Sequence, residues 1–201
     1  MMKQIYCAGG GVADLIVHPF DRLPKPGTSM KVDPILLKTG GCALNAAVAL
    51  RHLGADPLLT CKLGSDYFGD FVVKSLADQG VNTAYIARKA PDGTGTHVSL
   101  VCVNSDGERS FVGAGMDAAD DFCYDDISFA ALDQSDILFI AGYLGLSTFD
   151  GEPAAKILRY AKEKGKITAL DTICLLYTSD QRLSQLPVGI ERTVLVPPPG
   201  A

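Results

Sequence analysis

The chain predicts an α/β protein, a parallel sheet flanked by helices that carries a small antiparallel β lid. Three observations point there. Short apolar runs alternate with helix-periodic segments up to residue 80 and again from 136 to 171, the order that builds parallel strands with right-handed crossovers. Between these regions, residues 82–112 change to β-prone pieces separated by turn signals. The stretch Gly40-Gly41-Cys42-Ala43-Leu44-Asn45 opens a helix on two glycines, a geometry that turns tightly and leaves backbone amides open to a ligand.

The elements follow in order. Residues 4–8 read as a buried strand running into Gly9-Gly10-Gly11, with Asp14 just beyond. The dinucleotide fingerprint fails because Asp14 replaces its third glycine and a Pro-interrupted, strand-like piece follows instead of a helix. This disfavours a nicotinamide-dependent dehydrogenase. No Gly-Lys-Ser/Thr follows either, so there is no P-loop. Asp14 is a turn residue capping amides, or a ligand-binding acid at a carboxyl-end loop. Residues 21–39 hold Pro24, Pro26, Gly27 and Pro34 between short β-prone pieces at 28–32 and 35–39, a small hairpin excursion.

In the helix that follows, residues 43, 46, 47, 50 and 53 share one apolar face and Gly54 stops it. Asn45 is polar in an apolar helix. It caps or solvates the first turn, or points its amide at a polar ligand beside the positive end of the dipole. Residues 57–63 form the next buried strand. Ser65 or Asp66 caps a helix marked by Phe68, Phe71, Val72, Leu76 and Gln79, ending at Gly80.

Residues 83–88, 96–103 and 108–112 read as lid strands, with Asn104-Ser105-Asp106-Gly107 as a hairpin turn. They are expected to pair with the 14–39 excursion. Arg109 is a solvated strand charge, or a cation over an anionic substrate group. The acidic run Asp120, Asp121, Asp125 and Asp126 lacks the glycine and terminal glutamate of a calcium loop, so it reads as helix-start charge on a solvated face. A strand at 136–141, a helix at 153–164 and a strand at 167–170 ending in Asp171 complete the rhythm. The core therefore spans residues 1–171, and 172–201 reads as an irregular segment, truncated or mis-joined, because Pro197-Pro198-Pro199-Gly200 continues neither sheet nor helix.

Composition narrows the function. The 201 residues, 47% hydrophobic and 20% charged, suit a globular core. A net charge of -5 without a Lys/Arg cluster argues against a nucleic-acid partner, and no apolar run approaches a membrane span. Six cysteines lie singly, without metal-ligand spacing. They read as reduced, buried residues of a cytoplasmic protein.

With these motifs placed, the chain resembles the amino-terminal part of the ribokinase-like (PfkB) carbohydrate kinases. The resemblance covers roughly residues 5–171. It rests on Gly40-Gly41-x-x-x-Asn45 with Ala47, Leu50, Leu53 and Gly54, and on Leu63-Gly64-Ser65-Asp66-x-x-Gly69 with Leu76 and Gly80. Asp14 and Gly107-Glu108-Arg109-Ser110-Phe111 agree with it. It implies ATP-dependent phosphorylation of a hydroxyl on a small sugar or related polyol, with magnesium, under a lid that in some relatives pairs two subunits. Asp14, Gly40, Gly41 and Asn45 are then substrate-binding residues, with Arg109 a further contact. A nucleoside is the alternative acceptor, and a sugar-binding fragment without turnover the alternative to a kinase. The family's Gly-Ala-Gly-Asp motif, which supplies the catalytic base and an anion hole, has no counterpart here, nor has its Asn-x-x-Glu region near the metal. No catalytic residue is therefore assigned, and the carboxyl-terminal half of the fold is expected to be missing.

Overall fold

The computed structural model describes residues 3–89, 95–113, 118–173 and 193–195. The turn signal at 91–93, the apolar 174–177 run and the proline run at 197–199 lie outside them. In chain order the first elements are β1 (Ile5–Gly9), β2 (Val12–Val17), β3 (Leu36–Gly40) and α1 (Cys42–His52). Next come β4 (Leu58–Thr60), β5 (Lys62–Gly64), α2 (Tyr67–Asp78) and β6 (Ala87–Lys89). Then follow β7 (His97–Val103), β8 (Arg109–Gly113), α3 (Phe129–Gln134) and β9 (Ile137–Tyr143). The last are α4 (Glu152–Glu163), β10 (Ile167–Thr172) and β11 (Thr193–Leu195).

Strand β1 is the axis of the core because its side chains divide between two apolar layers. Tyr6 and Ala8 enter the layer built with α3 and α4, beside Leu132, Ile140, Ile157 and Ala161. Cys7 enters the opposite layer, with Ala43, Leu44 and Ala47 of α1 and Val72 and Leu76 of α2. This is the period-two alternation of a strand covered on both faces. The sheet order is β11-β10-β9-β1-β4, and every pairing is parallel. The chain leaves β1 for β4 on one side and later returns to β9 on the other. The carboxyl ends of β1 and β9 therefore form a topological switch point, where open α/β sheets bind ligands.

A second sheet, ordered β3-β2-β7-β8, is the lid. Its outer pairs are antiparallel and its central pair β2–β7 is parallel, so the 83–112 region does join the excursion that follows β1. Ala13, Leu37 and Val98 turn one lid face onto the α1–α2 layer. Several local expectations need correction. Asp14 lies within β2 rather than in a loop, because the chain re-enters extended structure at Val12. Residues 28–32 form no strand, lying exposed among Pro24, Pro26 and Pro34 without a ladder partner. The expected strand at 57–63 is two: β4 serves the core, while β5 pairs with β6 outside both larger sheets. Residues 87–89 are thus not a lid strand. Within the segment read as irregular, β11 pairs parallel to β10. Helix α3, too short for a periodic signal, was not legible in the sequence.

Asp66 joins the helix layer to the lid. Its carboxylate caps α2 by accepting from the Gly69 amide at 2.8 Å, and it also accepts from the Thr96 amide at 2.6 Å and the Thr96 hydroxyl at 2.9 Å. Thr96 Oγ1 in turn accepts from the Gly64 amide at 3.0 Å. Gly64 and Gly69 are glycines for lack of room, since a Cβ on Gly64 would stand 2.5 Å from the Thr96 nitrogen and one on Gly69 would overlap the Gly64 carbonyl.

Burial pushes the Asp66 carboxyl up, but the hydrogen bonds from Gly69, Thr96 and Phe68 outweigh it and hold the pKa below the ordinary value. A depressed folded-state pKa gives stability that is present above the unfolded pKa and lost as pH falls through the folded one. Asp66→Ala is expected to cost about 1–2 kcal/mol in urea unfolding at neutral pH, the range for a lost cap. Its penalty should shrink as pH drops below about 4. An undiminished penalty at low pH would show that the carboxylate's charge is not what the clamp uses.

Candidate substrate cleft

The glycines after β1 let the lid, helix α1 and the core meet at one point. Gly41, with φ 94°, could not carry a side chain, because its Cβ would stand 2.4 Å from the Gly10 carbonyl oxygen. A Cβ on Gly40 would overlap the Asp14 carboxylate. The two glycines of the helix-opening motif thus do different work. Gly41 brings α1 onto the backbone after β1, and Gly40 makes room for the acid.

The cleft formed there encloses about 150 Å³. Gly10 and Val12 line it from the end of β1 and the start of β2, Gly41 and Cys42 from the start of α1, and His97 from the lid. Ala141, Gly142, Gly145 and Leu146 line it from the end of β9, and Ala119 and Asp120 from the loop that follows the lid. Asp14 lies two residues beyond Val12, on the same face of β2. It is half-buried, and burial pushes its carboxyl above the ordinary value while His97 opposes that shift. Its carboxylate has no hydrogen-bond partner among the described residues. Helix α1 begins without a side-chain cap and without an acid in its first turn, so its amides and the positive end of its dipole are open toward the cleft. Asn45 follows Gly41 and Cys42 by one helical turn on the same side of α1, and is exposed.

Arg109 is not brought to these residues. It is exposed at the start of β8, whose Gly113 pairs with Ser99, itself opposite Asp14. Four residues separate Arg109 from that register position, roughly 13 Å along the strand. Residues that the sequence-based reading did not assign to the site also line the cleft: Cys42, His97, Asp120, Gly142, Gly145 and Leu146. A lone histidine in a strand carries no signal, and Asp120 was hidden in a run that reads as solvated charge.

That acidic run divides by function. Lys62, with only 13% of its side chain exposed, contacts Asp121 at 2.8 Å and Asp126 at 3.1 Å, and Lys89 contacts Asp121 at 3.1 Å. Burial lowers the Lys62 pKa, but the two carboxylates raise it further. Hydrogen bonds from Lys62 and Lys89 hold the Asp121 carboxyl below the usual range. This network ties the 119–126 wall to β5 and β6. The opposite wall is held by Asp150, which accepts from the Leu144 amide at 3.1 Å and the Leu146 amide at 3.0 Å. Thr148 Oγ1 joins the walls, 2.6 Å from the Asp120 carbonyl. At the rear, burial raises the Asp171 carboxyl above its ordinary value against a hydrogen bond from the Gly142 amide. Asp171 in turn adds to burial in raising the Cys42 thiol.

A two-layered parallel core with a separate lid over a glycine-built cleft at the switch point is the architecture of a small-molecule-binding α/β protein. The family model "pfkB family carbohydrate kinase" matches residues 2–188, and the chain belongs to that family. The deoxyribokinase of Salmonella typhi is 31% identical over 109 residues, 54% of this chain and 35% of that protein. A probable fructokinase-3 of Arabidopsis thaliana is 32% identical over 147 residues, 72% of this chain and 42% of that protein. The fructokinase of Xylella fastidiosa superposes with a TM-score of 0.70 at 27% identity, covering 92% of this chain and 56% of that one. A structure of fructokinase from the same organism carries bound ATP, with a TM-score of 0.68 at 25% identity, covering 92% of this chain and 57% of that one. This chain therefore spans between about a third and somewhat more than half of the relatives it matches.

Binding of ATP is a property of the family. Among the described residues no lysine or arginine lines the cleft, and no group of three acidic, histidine or cysteine side chains is placed to hold a metal ion. A bound triphosphate needs cationic donors beside its phosphates. The described residues do not fit the nucleotide, and no step is derived through it.

Gly41→Ala is expected to destabilise the fold by about 1–3 kcal/mol more than Gly54→Ala, because overlap with the Gly10 carbonyl adds to the backbone strain that both share. Gly54→Ala has a similar φ of 88° but open space around its Cβ, and should cost about 1–2 kcal/mol. Equal losses for the two in urea titrations would mean that the approach of α1 to Gly10 is not a tight constraint.

Proposed function

We propose that this chain is the acceptor-binding part of an ATP-dependent sugar kinase, holding a small sugar or related polyol in the cleft between lid and core. One observation carries the reading, the half-buried Asp14 carboxylate above Gly40, which has no donor among the described residues. An ionised carboxylate only accepts hydrogen bonds, so Asp14 is available to donors brought by a ligand. Vicinal hydroxyls of a sugar are donors of the right kind. The open amides after Gly41 and the Asn45 amide complement them, since a hydroxyl also accepts. For phosphoryl transfer, positioning and charge stabilisation supply most of the catalysis. The residues here contribute the positioning of the acceptor.

On its own the chain binds without turnover. No Gly-Ala-Gly-Asp sequence occurs anywhere in it, so it lacks both the base and the phosphate-binding amides that the family resemblance implies. Loss of a general base alone typically costs a factor of about 100–10,000. Magnesium, implied by the same family resemblance, belongs to that reaction.

The lid also supports self-association. Every residue of edge strand β8 is exposed, including Phe111 at 61% and Val112 at 62%, and such an edge invites pairing with another strand. A homodimer through the lids is the occupant proposed here.

Calorimetry on the purified chain should detect binding of at least one of fructose, ribose and 2-deoxyribose. Asp14→Ala should weaken it by about 10- to 100-fold, the worth of one charged hydrogen bond. Asn45→Ala should act in the same direction, and the exposed Asp125→Ala should leave binding alone. Unchanged affinity in Asp14→Ala removes the assignment. An ATP-consumption assay on the same chain should read zero. Light scattering should give twice the chain mass, reverting to a monomer in Phe111→Asp; a monomer at high concentration removes the dimer.

A further inference from the structure

We infer that His97 is the lid's own polar contact to the acceptor, a side chain that holds a hydroxyl of the sugar; this rests on the sugar-site reading above. Strand register carries the inference. The lid sheet turns one face onto the α1–α2 layer through Ala13, Leu37 and Val98. Side chains alternate between the faces of a sheet, so the row Gly40, Val12 and His97 belongs to the other face. Val12 and His97 both line the cleft. Among the described residues they are the lid-strand side chains that reach it, and only the imidazole is polar.

The position of the ring agrees. A Cβ on Gly113 would stand 3.1 Å from both Cε1 and Nε2 of His97, so the ring lies against the end of β8, where the glycine leaves it room. Gly113 pairs with Ser99, Ser99 with Asp14, and Asp14 with the exposed Lys38. These four form the next row of the same face, and the imidazole bridges that row and the cleft. Burial raises the Asp14 carboxyl and His97 opposes it, which agrees with a ring close to the acid.

Hydrogen bonding, not net charge, is what the imidazole adds. A hydroxyl both donates and accepts, the backbone amides at the start of α1 only donate, and a carboxylate only accepts. A neutral imidazole carries a donor on one ring nitrogen and an acceptor on the other. One nitrogen can meet a hydroxyl while the other holds a protein neighbour, and that neighbour sets the tautomer. A histidine kept only to fill space beside Gly113 needs neither nitrogen.

The test is calorimetry on the intact chain with fructose, ribose and 2-deoxyribose. It compares His97→Leu, which keeps the bulk, with His97→Gln, which keeps a donor and an acceptor. His97→Leu is expected to weaken the best-bound sugar by about 3- to 10-fold, the worth of one neutral hydrogen bond. His97→Gln is expected to recover most of that loss. Both variants should unfold at the same urea concentration; a binding loss that follows a fall in that midpoint overturns the contact in favour of a packing role. If His97→Leu binds like the unsubstituted chain, or if the two variants lose equally, while Asp14→Ala still weakens the sugar, the sugar site stands and the lid contact is overturned. If no probe binds the unsubstituted chain, the sugar-site reading fails and takes this inference with it.

Discussion

The structure depends on backbone packed against backbone at the end of β1. A Cβ on Gly9 would overlap the Ala141 carbonyl, one on Gly41 would overlap the Gly10 carbonyl, and one on Gly11 would stand 2.7 Å from Leu63. Three units therefore meet at a distance only glycine allows: the central pair of the core sheet, the start of α1 and the beginning of the lid. Any side chain there would separate them and open the cleft from its floor. Because β1 also divides its side chains between both apolar layers, the point where the cleft forms is held from both faces of the sheet, as a binding site needs.

The acidic residues show how the same chemistry serves two ends. Asp66 is saturated by amides and a hydroxyl, Asp121 and Asp126 by lysines, and Asp150 by two amides. Each satisfied carboxylate fixes one element to another, helix to lid or wall to sheet. Asp14 has no such partner, although burial costs it as well. The contrast separates structural acids from a candidate binding acid, and residue type alone does not draw it. Asp120 and Asp121 are neighbours in sequence, yet one lines the cleft and the other holds the lysines behind its wall.

Expectation and structure part company where pairing partners lie far apart in the chain. The apolar run at 57–63 has the composition of one strand, but the chain leaves the core sheet at Cys61 and its remainder finds β6 instead. Nothing local marks that break. Residues 28–32 have β-prone side chains and still form no strand, since strand formation needs a neighbour. The central lid pair is parallel because β2 and β7 are joined through much of the core rather than by a turn, a relation beyond any hairpin signal.

By itself the sequence determined what is local and periodic. It marked the alternation of buried strands with helices, the glycine-opened start of α1, a cap at Ser65 or Asp66 and the Asn104–Gly107 turn, because each is set by side chains within a few residues of one another. The motif Gly40-Gly41-x-x-x-Asn45 also marked the glycine turn whose Gly41 lines the cleft. Tertiary structure alone decided that Asp14 belongs to the lid and stands over Gly40, that His97 and Asp120 complete the cleft, and that Arg109 is kept from it. Those outcomes depend on strand register, and register is chosen by which faces the whole sheet can bury.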